Sequence, residues 1–102
     1  MTIIKKLSEM IEDEIKDAEK YAKCALKHKE DHPALADLFN RLSGDELQHA
    51  NLLHEKVVDL IEDYRKEHGE PPEAMKAVYD YLHERQIEEA AEVKTLRAMY
   101  KE

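Results

Sequence analysis

Residues 42–53 read LSGDELQHANLL, and the fold is decided by which way Glu46 and His49 in the middle of that stretch face. On either side of them apolar residues recur by threes and fours: Leu35, Phe39 and Leu42 before, then Leu53, Val57, Leu60 and Tyr64 after. At about 100° per residue these positions make one stripe along a helix. Glu46 and His49 fall inside the stripe, about one turn apart on the same face. The pattern begins after Asp31-His32-Pro33 and stops before Gly69. A proline in the first turn and a glycine past the end are the chemistry of a helix start and stop, so a helix is predicted from about residue 33 to 68.

Outward from that segment, the chain reads as two more helices. The first runs from about Thr2 to Lys29, with Ile3, Leu7, Met10, Ile11, Ala18, Tyr21, Ala22 and Ala25 on one side. Glu14 sits within this stripe, about 20° from Leu7, Tyr21 and Ala25. The acids at Glu9, Glu12, Asp13, Glu19 and Glu30 fall away from it, and Asp17 lies at its edge. The third helix follows Gly69-Glu70-Pro71-Pro72 and carries Met75, Val78, Tyr79, Leu82, Ala90, Val93, Leu96 and Tyr100 together, with Gln86 and Glu89 on the same face. Two short connections imply antiparallel neighbours. The expected architecture is all-α: an antiparallel hairpin plus a third long helix, one domain over residues 1–102.

Composition narrows the function. Charged residues make up 39% of the chain, with two glycines, three prolines and a net charge of -8, which suits long solvated helices. Phosphate binding requires a basic face, so nucleic acid is excluded as a partner and cations are favoured. The single cysteine, Cys24, excludes an internal disulfide and a thiolate cluster such as a rubredoxin-type centre. No apolar run is long enough to span a membrane and the first ten residues lack an apolar leader core, so a cytoplasmic protein is expected.

Burying an ionised carboxylate costs several kcal/mol unless it is paired, protonated or metal-bound. Neither Glu14 nor Glu46 has an inward lysine or arginine beside it. A hairpin turning near residue 31 puts Glu14 opposite about residue 48, between Glu46 and His49. Two carboxylates and an imidazole at one level suit iron, with manganese or zinc as substitutes. Three ligands do not enclose two metals, and the third helix offers Val93 and Leu96 at that height. The missing ligands are therefore expected from a second copy. A two-fold axis would gather four glutamates and two histidines around two Fe²⁺ per subunit pair.

Glu14-x6-Tyr21 and Glu46-Leu47-Gln48-His49-Ala50 resemble the ferritin-like superfamily over roughly residues 3–68. The chain is most similar to the half-length encapsulated ferritins, whose di-iron site forms between two subunits. The resemblance implies a ferritin-like four-helix bundle completed by dimerisation. It also implies ferroxidase chemistry, in which Glu14, Glu46 and His49 bind iron, Fe²⁺ becomes Fe³⁺ for storage or detoxification, and Tyr21 is a nearby redox-capable phenol. Homo-oligomeric assembly and housing in an encapsulin-type shell, a protein nanocompartment, are further implications.

Two other readings fit the same residues. One is a metal-free helical assembly or adaptor protein in which the polar layer sets register between chains. The other is a di-iron peroxidase of the rubrerythrin type, which requires an external electron donor. Elsewhere, His28 and His32 read as capping residues beside a turn, His54, His68 and His83 as edge or surface histidines, and Gly44 as a point of close approach between helices.

Overall fold

Proline and glycine set the helix ends. The computed structural model describes residues 2–102, in which α1 spans Thr2–His28, α2 spans Pro33–His68 and α3 spans Glu73–Lys101, with no strand among the described residues. Pro33 occupies the first turn of α2, and the His32 amide closes the end of α1 on the His28 carbonyl at 2.9 Å. Gly69 takes a positive φ of 76° and its N–H donates to the Arg65 carbonyl at 2.9 Å, ending α2. That φ favours glycine because a Cβ would crowd the backbone. The predicted boundaries agree with these ends to within a residue or two.

The hairpin of α1 and α2 is held by small residues. From α1, Ile4, Ser8, Ile11, Ile15, Ala18, Ala22 and Ala25 are buried, whereas α2 contributes only Ala36, Ser43 and Ala50. Small side chains on the facing helix let the two backbones approach closely. Between the two helices the fully buried Ser43 Oγ donates to the Ala18 carbonyl at 2.7 Å. Helix α3 lies along one side of the hairpin, seating Val93 in the cluster of Ile11, Ile15, Ala18, Ala22 and Ala50. The buried Gln86 amide donates to the Ser8 hydroxyl at 3.0 Å and its carbonyl at 3.2 Å.

The expected stripes need correcting. On α1, Ile4 and Ile15 are buried while Ile3 and Met10 are exposed. The wide apolar band on α1 is two faces side by side: one closes the hairpin under α3, and the other is left open. On α3, Val78 is exposed and the polar Gln86 takes a core position.

Polar contacts fasten α3 to α2. His54 meets His83, the Arg97 guanidinium donates to the Asn40 carbonyl, and the Tyr100 hydroxyl donates to Asp37. Gly44 makes room for Arg97, since a Cβ there would stand 2.9 Å from Nη2. The close approach expected at Gly44 is thus to a side chain of α3. The molecule measures 55 × 18 × 18 Å.

Candidate metal centre

Glu14, Glu46 and His49 come together as expected. One ligand atom from each lies within 4.8 Å of the others, the only such group of three among the described residues. His49 Nδ1 stands 3.6 Å from Glu14 Oε2 and 3.7 Å from Glu46 Oε2, nearly equidistant from the two carboxylates. Both distances exceed a hydrogen bond. Glu46 and His49 are brought together by their spacing on α2, and Glu14 is brought to them by the register that Ser43 and Ala18 set one turn further along.

Glu14 Oε2 is enclosed and has no hydrogen-bond partner. An enclosed carboxylate oxygen left unpaired is costly, and a cation bound between it, Glu46 and the imidazole would satisfy it. The donor set of two carboxylates and one imidazole fits iron by ligand type. Glu12 Oε1 and Asn40 Oδ1 are also enclosed without partners, but neither belongs to a cluster of metal-binding side chains. Glu12 was expected to point to solvent; it is half-buried on the side of α1 that α3 approaches.

The three residues lie on the face of the hairpin that α3 leaves uncovered. On α2, the residues reached by α3 (Asp37, Asn40, Gly44 and His54) lie about 80–180° from Glu46 in one direction. His49 and Leu42 lie about 40–60° from it in the other. On α1, Ser8, which Gln86 reaches, is about 120° from Glu14. The imidazole of His49 is accordingly 54% exposed, against 27% for Glu14 and 19% for Glu46. Elsewhere on α1 and α2, Ile3, Met10, Leu35, Leu38 and Leu52 are also exposed.

Tyr21 lies elsewhere. It is seven residues beyond Glu14, about 10 Å along the helix, and stacks on Phe39 with ring centroids 6.2 Å apart. His28 continues that stack toward the turn and pairs with Asp31 at 3.3 Å. Glu89 is not part of the cluster and pairs with Arg85 at 3.0 Å. The pairing of His54 with His83 was missed from sequence, since each lies off the centre of its own helix's stripe and only the placement of α3 joins them.

Among the described residues, no helix is long and apolar enough to cross a membrane. No curated protein and no solved structure matches the chain. The model of the rubrerythrin family matches residues 5–102, which takes in all three helices and the whole Glu14, Glu46 and His49 cluster. On that match the chain belongs to the rubrerythrin family, di-iron oxidoreductases of the ferritin-like superfamily.

Proposed function

We propose that this protein is a ferroxidase whose di-iron site forms between two copies of the chain, as in the half-length encapsulated ferritins. The observation that carries the reading is the convergence of Glu14 and Glu46 on His49 at a partly exposed face. Two such faces meeting about a two-fold axis would supply four carboxylates and two imidazoles, with the exposed Ile3, Met10, Leu35, Leu38 and Leu52 closing around them. Glu14 and Glu46 would supply anionic oxygen to the metal, and His49 a neutral nitrogen that adds no charge. These apolar side chains would exclude water from the carboxylates and so strengthen their hold on a cation. Bound iron supplies one-electron chemistry toward an oxidant, and Fe²⁺ is also the substrate.

Mixing the protein with Fe²⁺ in air and following the Fe³⁺ absorbance tests the reading. Glu14→Ala and His49→Ala are each expected to slow oxidation at least about tenfold, since even residues behind the ligands are worth that much. Oxidation at the wild-type rate in either variant would remove these residues from the site. Family membership is equally compatible with a second reading, peroxide reduction at the same residues. It predicts catalytic loss of hydrogen peroxide with a supplied electron donor and no accumulating Fe³⁺, whereas the ferroxidase consumes Fe²⁺ in proportion to the oxidant.

A further inference from the structure

His54 and His83 form a second cluster of nitrogen donors, separate from the carboxylate-flanked His49. His54 is five residues beyond His49 on α2, about 140° around the helix, so the two imidazoles open toward different faces. His54 Nε2 and His83 Nδ1 approach to 3.2 Å, with ring centroids 4.8 Å apart and planes inclined by 15°. Both rings line a cavity of about 250 Å³ together with Asp80, which precedes His83 by one turn on α3.

We propose that His54 and His83, with water completing the coordination, bind a divalent ion of the zinc, nickel or copper class that clasps α3 to α2. Two imidazole nitrogens sharing one tetrahedral ion, each at about 2.0–2.1 Å, lie about 3.3 Å apart, close to the separation found here. The donor set is richer in nitrogen than the Glu14, Glu46 and His49 cluster, which favours zinc, nickel or copper over iron. Binding requires no net loss of a proton from two neutral rings. It requires the tautomers in which His54 carries its N–H on Nδ1 and His83 on Nε2, leaving the facing lone pairs to the cation. Burial, and secondarily His83, hold the His54 pKa below the usual histidine value, so this ring is neutral and able to ligate at neutral pH. Of the other charged groups on the cavity wall, Arg65 is engaged by Glu70 at 3.3 Å, and Glu62 and Asp80 add negative charge.

The test uses the full chain carrying His49→Ala, so that the outcome is independent of the proposed ferroxidase site. Zinc is titrated while histidine ring resonances, bound zinc and the thermal midpoint are followed. One zinc per chain, joint shifts of the His54 and His83 rings and a rising midpoint are expected, with affinity declining in acid as protons compete with the metal for the ligand nitrogens. Adding His83→Gln is expected to weaken zinc binding at least about tenfold. No zinc bound by the His49→Ala chain, or equal affinity after His83→Gln, would overturn the proposal. If His83→Gln loses helix content, His54→Gln provides the same comparison.

Discussion

Glu14 illustrates how a residue placed for metal binding costs the empty protein stability. With Oε2 enclosed and accepting no hydrogen bond, Glu14→Leu is expected to raise metal-free stability by about 1 kcal/mol in urea unfolding, because it removes the desolvation penalty of that oxygen. The same change should abolish stabilisation by Fe²⁺. Ser43 is the opposite case: Ser43→Ala removes the second hydrogen bond to the Ala18 carbonyl, which keeps its helical partner, and should cost about 1 kcal/mol in the same measurement. His54 gives a pH dependence. Its pKa is lowered in the fold, so the unfolded chain binds the proton more readily. Stability from this group is complete above about pH 6.5 and declines as pH falls below it. Thermal midpoints measured from pH 8 to 5 should decline more steeply for the wild type than for His54→Gln. Glu14, Glu46 and His49 were legible in the sequence because polar residues interrupting an apolar stripe need a reason. Ser43 was not, since a serine in a stripe of mixed residues carries no signal until the facing backbone is known.

At the scale of helices, the hairpin and the third helix are held differently. The hairpin relies on small residues and close backbones, whereas α3 adds Val93, Gln86 and a row of polar contacts. Gly44 couples the two. Gly44→Ala gains up to about 1 kcal/mol of helix propensity but forces Arg97 from its place over the glycine. The expected outcome is a global stability within about 1 kcal/mol of wild type, with faster amide exchange confined to the last turns of α3. All three helices and both turns could be read from period, proline and glycine. The division of the α1 band into a covered and an open face could not, because Ile3 and Ile4, or Met10 and Ile11, are adjacent in sequence and both apolar. Only the position of α3 distinguishes them.

The whole molecule has one covered face and one open face, and the candidate metal centre lies on the open one. Leu38→Lys combined with Leu52→Lys would place charge at exposed apolar positions of α2 without touching the three ligands. If function requires two copies, the double variant is expected to be a monomer by sedimentation and to oxidise Fe²⁺ at least about tenfold more slowly, with helix content unchanged. A dimeric double variant would show that these positions are not in the interface.

The dimensions also govern how such experiments must be read. A body 55 Å long and 18 Å across has an axial ratio of 55/18, about three. Its friction in solution therefore exceeds that of a sphere of the same mass. On a gel-filtration column calibrated with globular standards, one copy would elute earlier than its mass predicts. Two copies joined side by side along the open face would be thicker and no longer, so association would move the elution volume less than a doubling of mass suggests. Light scattering or sedimentation equilibrium, which report mass independently of shape, are the measurements that count the subunits.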